Sequence, residues 1–361
     1  MTNKLRIGFV GGGGMGQMAH LSNYAELRDE CEVVALAEMR PESARLVASR
    51  YGIPQVYGSH LELLARAEVD AIVAPQQYRN HYAVIPDILR AGIPVFTEKP
   101  LSMTVREGRK LADLARETGT LHMVGYHKRS DPAMAYAKSV VDEWKAGGQY
   151  GKLRYIRITM PPGDWIGGAD RPLGVDGEPY PQLTPEAGPE RYSDEEARYL
   201  DWFVNYYIHQ VNAIRFFLGE NYRLTFGDRA GVLLVGESDS GVTVTLEMEP
   251  YSTSVEWHEN VLVTFEKGYV QVELPAPLAR QQAGKVTVYR DNPQLGGRPE
   301  LIRPIMPNVS AMRNQASNFL AAVRGDRPAP CTSAEALEDL ILAESYIDYM
   351  IRTYSKPKIG G

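Results

Sequence analysis

Cysteine is nearly absent, with Cys31 and Cys331 alone among 361 residues. Two isolated thiols exclude a disulfide framework and a cysteine-based zinc site. Cys31 opens a strand-like apolar run and reads as a small buried residue. The seven histidines show no ligand spacing, so no metal is expected. No apolar run approaches the roughly eighteen residues of a membrane helix. Concentrated positive charge is missing too: 39 basic residues stand scattered against 45 acidic ones, for a net charge of −6. That excludes the basic face of a nucleic-acid or anionic-membrane binder. The opening residues hold no extended apolar signal region, because the first strand-like run meets its glycines within about a dozen residues. A cytoplasmic protein is the expectation, and the length suffices for two domains with full cores.

What is present begins with Leu5-Arg6-Ile7-Gly8-Phe9-Val10, a strand-like run, followed by Gly11-Gly12-Gly13-Gly14-Met15-Gly16 and a helical stretch from Gln17 to about Arg28. Gly11, Gly13 and Gly16 fit G-x-G-x-x-G, in which the first glycine permits a tight turn, the second a close approach to pyrophosphate, and the third helix-on-strand packing. Gly14 and Met15 complete the loop, and the helix N-terminus offers free N–H groups to phosphates. A flexible glycine loop is the alternative. The context favours the nucleotide, since residues 32–37 read as a second strand ending at Glu38, about twenty residues beyond the last glycine. A carboxylate there accepts hydrogen bonds from ribose hydroxyls and repels a 2′-phosphate, so NAD is favoured over NADP. Arg40 qualifies this, because its guanidinium suits adenine stacking or a phosphate.

Strands near 5–10, 32–37, 70–74, 94–97 and 121–124 alternate with helices near 42–51, 59–67, 80–91 and 104–117. Such alternation predicts a parallel sheet covered on both faces. Pro75, Gln76, Gln77 and Lys99 all follow strand ends, on the side where such a sheet binds ligands. The fold class expected is α/β: an N-terminal Rossmann dinucleotide-binding domain, 1–125, plus a C-terminal α+β domain, 126–361. In the second part a helix at 131–145 and a strand at 153–160 precede an irregular stretch, 161–192, of the length that functional loops have. Strands dominate from about Tyr222 to Arg303, and helices near 309–324 and 333–353 close the chain. A sheet with one helix-covered face leaves the other for a second subunit.

Ser193-Asp194-Glu195-Glu196 has the form of a capping box opening one helix to about Leu218. On it Trp202, Asn205, His209 and Asn212 share a face, while Phe203, Tyr207, Val211, Ile214 and Leu218 form the apolar stripe. The polar face is open to two readings, a buried network satisfied by its neighbours or a reactive histidine.

With these residues in hand the chain resembles the Gfo/Idh/MocA oxidoreductases, over most of its length. The likeness rests on the glycine loop, residues 69–75 with His81 downstream, Glu98-Lys99-Pro100, Gly125-Tyr126-His127-Lys128-Arg129 with Asp131-Pro132, and His209 before Leu218-Gly219. The resemblance implies a mostly antiparallel C-terminal sheet and an NAD-dependent sugar or polyol dehydrogenase. It puts Lys99 near nicotinamide and substrate, often with a cis Lys-Pro bond, and maps the family's histidine onto His209. It adds Pro75, Gln76, His81 and Glu98 to the cofactor set of Gly11, Gly13, Gly14, Met15, Gly16, Glu38, Arg40 and Lys99. Substrate contacts are expected from Tyr126, His127, Lys128, Arg129, Asp164, Trp165, Asn205 and His209. Lys99, His209 and Asn205 form the catalytic set. One departure stands out: relatives commonly carry Asp four residues before and three after that histidine, where this chain has Asn205 and Asn212. A neutral amide orients an imidazole without raising its pKa, so His209 is expected to be a weaker base or Lys99 to carry more of the proton transfer.

The expected reaction is oxidation of a secondary hydroxyl on a sugar, glycoside or cyclic polyol, with His209 as principal base and Lys99 as anchor and relay. The run His127-Lys128-Arg129 also suits an anionic sugar. The alternatives are a redox-assisted glycoside-processing enzyme that recycles its NAD and a non-catalytic NAD-binding regulator. The expected partners are a small carbohydrate and a second or fourth copy of the chain, in a homodimer or homotetramer through the C-terminal sheet.

Overall fold

The computed structural model describes residues 4–179 and 185–354. Part of the long loop, 180–184, lies outside the described residues. Two compact units divide the chain, and neither is continuous in sequence. The first gathers residues 1–126, 169–193 and 312–340; the second gathers 127–168, 194–311 and 341–361. A linear division at 125/126 gives only the first of these crossings.

The first unit is built on β1 (Leu5–Val10), β2 (Cys31–Ala37), β3 (Gln55–Tyr57), β4 (Ala71–Ala74), β5 (Val95–Glu98) and β6 (His122–Gly125). They lie in the order β3-β2-β1-β4-β5-β6, every pair parallel. This doubly wound order reverses between β1 and β4, where such sheets take their ligands. The helices are α1 (Ser22–Glu26), α2 (Pro41–Tyr51), α3 (His60–Arg66), α4 (His81–Arg90) and α5 (Val105–Thr118). Ser59 and Thr104 cap α3 and α5 by accepting the N–H of Glu62 and Glu107. Strand β3 escapes the sequence reading because three edge residues show no alternation. The interior joins Phe9, Leu36, Val73 and Phe96 to Phe319 and Leu320, from near the other end of the chain.

The expected helix from Gln17 to Arg28 takes a different form. Residues Gly16–Leu21 form a π-helix, and α1 stops at Glu26. A π turn holds an extra residue and is frequent at functional sites; here it carries His20, which is buried.

The second unit contains α6 (Pro132–Gly147), β7 (Leu153–Met160), α7 (Asp194–Tyr206), α8 (Ile208–Leu218) and the strands β8 (Tyr222–Gly227), β9 (Leu233–Ser238), β10 (Thr243–Met248), β11 (Glu259–Phe265), β12 (Gly268–Leu274), β13 (Lys285–Arg290) and β14 (Glu300–Ile302). Eight strands form one sheet, β14-β13-β12-β11-β7-β10-β9-β8, antiparallel except where β7 meets β10. Helix α6 packs on β12 and β13, and α8 on β7 and β10. Residues alternate between buried and half-buried along β7, β9, β10 and β11, the mark of a sheet with one face on the core. Helices α9 (Ala311–Arg324) and α10 (Ser333–Thr353) close the chain.

The single helix expected from 193 to 218 is two. At Tyr207 the hydrogen-bond ladder restarts: its N–H donates to Phe203, and its carbonyl accepts from both Gln210 and Val211. Tyr207 thus ends α7 and caps α8. The apolar stripe is nevertheless buried, because Phe203, Tyr207, Val211, Ile214 and Leu218 are each at most 1% exposed. The stripe keeps its spacing across Tyr207, so the break changes the number of helices and not the register. Asn205 is exposed on α7, and His209 belongs to α8.

Candidate active site

In the first unit the glycine loop behaves as its spacing requires. Gly11 sits at φ 110°, where a Cβ would lie 2.6 Å from Gln76 Nε2. A Cβ on Gly16 would lie 2.6 Å from the Gly11 carbonyl and 3.3 Å from Pro75. Helix and strand therefore meet through a glycine. Gln76 fixes the loop by donating its amide to the Val10 carbonyl at 2.6 Å.

At the end of β2, Glu38 is 8% exposed and accepts the Gly12 N–H at 2.9 Å. Arg40 grips the same carboxylate with Nε at 2.9 Å and Nη2 at 3.0 Å. Burial works against the Glu38 anion, but the Arg40 side chain and the two N–H donors outweigh it and hold the carboxyl below its ordinary pKa. A dinucleotide fits this corner: the turn packs too closely at Gly11 and Gly16 for any Cβ, as the glycine fingerprint requires, and a fixed carboxylate stands at the strand end that a ribose reaches.

Across the sheet, the Lys99–Pro100 bond is cis. Lys99 is half-buried, and its N–H donates to Glu98 Oε2 at 3.2 Å. The other oxygen of Glu98 lies 2.7 Å from Nε2 of the buried His20. Glu98 therefore meets the π turn beside the glycine loop. His81 is fully buried and donates Nδ1–H to the Leu101 carbonyl at 2.9 Å, and burial lowers its pKa. It stands under the Glu98-Lys99-Pro100 turn with no exposed surface, which corrects its expected place as a direct cofactor contact. Tyr126 is likewise buried.

The long loop attaches to this same unit by two carboxylates. Glu178 accepts the N–H groups of Glu42 and Ser43 at 2.8 and 2.9 Å and the Ser43 hydroxyl at 2.5 Å. Desolvation opposes its charge, yet Ser43 and the two N–H donors hold it below the usual carboxylate range. Glu186, buried, accepts the N–H groups of Met103 and Thr104 and the Thr104 hydroxyl. Between them Gln17 exchanges hydrogen bonds with the N–H and carbonyl of Leu173, while its amide also reaches the Gly12 carbonyl. Sequence reading missed these glutamates. A local signal existed at α2, whose cap position is Arg40, a residue with no acceptor to offer its first turn.

In the second unit His127 and His209 meet edge to face, with ring centroids 4.5 Å apart. His127 lines a narrow cleft with Lys128, Asp131, Pro275, Pro277 and Gln282. Asp131 caps α6 by accepting the Ala133 N–H at 2.8 Å and also binds the Gly284 N–H. Burial raises its pKa against those bonds.

Lys128 and Arg129 differ from the expectation of a cationic substrate patch. Both are buried, at 4% and 7% exposure. Lys128 Nζ pairs with Glu259 at 2.6 Å, and Glu259 also binds Gln210 and the Trp257 indole. Arg129 Nε donates to Asn212 Oδ1 at 2.7 Å. The charge of Lys128 is neutralised inside the unit, so the argument for an anionic sugar loses its footing. Asn212 stands as the acceptor for a buried guanidinium. Asp164 spends a carboxylate oxygen on a local turn, accepting from Ile166 and Gly167, and Trp165 is 39% exposed beside it. Among the described residues no group of three or more His, Cys, Asp or Glu is placed to hold a metal, and no helix is long and apolar enough to cross a membrane.

Comparison with known proteins agrees with this geometry. Residues 5–126 match the Gfo/Idh/MocA family model, described as an oxidoreductase family with an NAD-binding Rossmann fold. An inositol 2-dehydrogenase from Burkholderia cenocepacia is 27% identical over 220 residues, covering 60% of this chain and 56% of that protein. The D-glucoside 3-dehydrogenase of Escherichia coli is 30% identical over 128 residues, 36% of each. The chain thus spans about half the length, or less, of these curated relatives. A solved variant of the 3-ketoreductase KijD10 from Actinomadura kijaniata, in complex with TDP-benzene and NADP, shares the fold at a TM-score of 0.66 and 20% identity, with 97% of this chain and 98% of that one covered. The parallel sheet with its glycine turn and strand-end glutamate has the Rossmann fold, and residues 5–126 are similar to the NAD-binding domain of the Gfo/Idh/MocA oxidoreductases.

Proposed function

We propose that the protein is an NAD-dependent dehydrogenase that oxidises a secondary hydroxyl of a sugar, glycoside or cyclic polyol to a ketone. The observation that carries this reading is the Gly11 turn beside the buried Glu38 carboxylate, in a chain whose relatives include inositol and glucoside dehydrogenases. When bound, the nicotinamide would supply the two-electron hydride acceptor. Gly11 to Gly16 would hold the pyrophosphate, and Glu38 the adenosine ribose. Pro75, Gln76, Glu98 and Lys99 would line the far end.

The chain's own task is the hydroxyl proton. An imidazole begins near a pKa of about 6.5, close to working pH, whereas an amine begins near about 10.4 and has to be lowered before it accepts a proton. His209 is therefore assigned as principal base, with His127 packed on its ring, and Lys99 as hydroxyl anchor and relay. Asn205, exposed at the end of α7, is retained only as a substrate contact. The same reading places the protein in the cytoplasm, with the soluble dinucleotide pool. It also makes the outer face of the eight-stranded sheet the surface of a homodimer or homotetramer.

The test is nicotinamide reduction by the purified protein with NAD and a panel of neutral sugars, polyols, uronates and aryl glycosides, with products analysed in parallel. Sustained NADH with a keto product is the expected result, and Lys99→Ala should lower turnover at least about 100-fold while NAD affinity changes little. Free reducing sugar released without net NADH, or binding with no hydride transfer, would overturn it.

A further inference from the structure

The first turn of α2 holds the donors of a phosphate site, and a carboxylate from the long loop occupies them. Pro41 at the first helical position has no N–H, so the first free donors are Glu42 and Ser43. Both donate to Glu178, as does the Ser43 hydroxyl. The Arg40 guanidinium, immediately before them, is held by Glu38 through two hydrogen bonds. A guanidinium, two N–H groups at a helix start and a hydroxyl make a receptor for a doubly charged phosphate. The ligand is indicated independently, by the glycine fingerprint and by Glu38 at the strand end where a ribose 2′ position is read.

Glu38 alone does not settle which nucleotide is admitted. Its partner Arg40 is the residue type that accommodates a 2′-phosphate, and the α2 donors would assist it if they were open. Glu178 fills them with negative charge and sits close enough for Arg40 to favour its ionised form. A 2′-phosphate arriving there would meet two carboxylates and would have to displace one.

We propose that Glu178 is a specificity determinant: it closes a latent 2′-phosphate site at the start of α2 and makes the protein select the dinucleotide that lacks that phosphate. This deepens the NAD reading above and rests on it. It also gives residues 169–179 a role in cofactor choice.

The experiment measures binding without substrate. The purified full chain, Glu178→Ala and Glu178→Gln are titrated calorimetrically with NAD, NADP, 5′-AMP and adenosine 2′,5′-bisphosphate, with thermal unfolding midpoints recorded for each protein. The wild type should prefer NAD over NADP and 5′-AMP over the bisphosphate. Glu178→Ala, which frees three donors, should shift both ratios toward the 2′-phosphorylated ligand by at least about tenfold, with 5′-AMP affinity within about threefold of wild type. Glu178→Gln keeps an acceptor for the α2 donors and removes the charge, so its shift should be smaller and should fade at high salt. If the alanine variant fails to fold, the glutamine variant decides. Ratios unchanged in a folded variant, or a wild type that prefers the 2′-phosphate, overturn the proposal while leaving a nucleotide-binding protein. A wild type that binds none of the four overturns the dinucleotide reading, and this one with it.

Discussion

At Gly11–Gly16 the functional groups are backbone donors shaped by missing side chains, and their charged partner Glu38 lies 26 residues beyond Gly12. At His127–Arg129 they are side chains whose partners, Glu259 and Asn212, are 131 and 83 residues away. The first corner is local, so its sequence pattern and its geometry carry the same information. The second depends on which distant residue the fold delivers. A row of three basic side chains reads as a cationic surface until a buried carboxylate turns up beside it.

The sharpest way to break this contrast is at Glu259. In Glu259→Ala the Lys128 ammonium, the Gln210 amide and the Trp257 indole lose a common acceptor, and a buried cation is left unpaired. A loss of about 3–5 kcal/mol in urea unfolding is expected. A loss under about 1 kcal/mol would mean that Lys128 escapes to water, and it would restore the case for an anionic sugar contact.

The glycine corner is tested by a pair of variants. Gly11→Ala forces a side chain into the left-handed region, with its Cβ 2.6 Å from the Gln76 amide. It should cost about 1–3 kcal/mol of stability and weaken dinucleotide binding on the order of tenfold. Gly14→Ala meets only the Met18 terminal methyl, at 3.8 Å, and Pro172 at 4.0 Å, and should be close to neutral. Equal effects from the two, in titration and unfolding, would remove the special place of Gly11.

How far the sequence could be read follows the same division. Strands β1, β2, β4, β5 and β6 were legible because a parallel strand is a short apolar run between turn signals. The stripe from Phe203 to Leu218 was legible as a core face even though the helix breaks, because burial follows local pattern and the break at Tyr207 carries no proline or glycine to announce it. Lys99 and His209 came from ordered motifs. The His20–Glu98 pair, the Arg129–Asn212 pair and the loop glutamates were not readable, since each is a match between one residue and another far along the chain. The return of residues 312–340 to the Rossmann unit has the same cause: Phe319 looks like any helix aromatic until it reaches Phe96.

The contrast extends to histidine ionisation. His122 on β6 is 2% exposed, its Nε2 is 3.0 Å from Thr97 Oγ1 on β5, and burial lowers its pKa to about 3. In an unfolded chain the same ring titrates near about 6.5. Between those values the unfolded state binds one more proton than the native state, so stability rises with pH across this window. The contribution is complete above about pH 6.5 and is lost as pH falls toward 3, with a slope of about 1.4 kcal/mol per pH unit. His81, buried and lowered in the same direction, adds to the trend. His122→Gln cannot charge and can still bond Thr97, so denaturant midpoints from pH 7 to 5 should decline less steeply in the variant by about one proton's worth. Parallel lines for the two proteins would show that His122 finds a proton in the native state, and that the interior between β5 and β6 is wetter than its packing indicates.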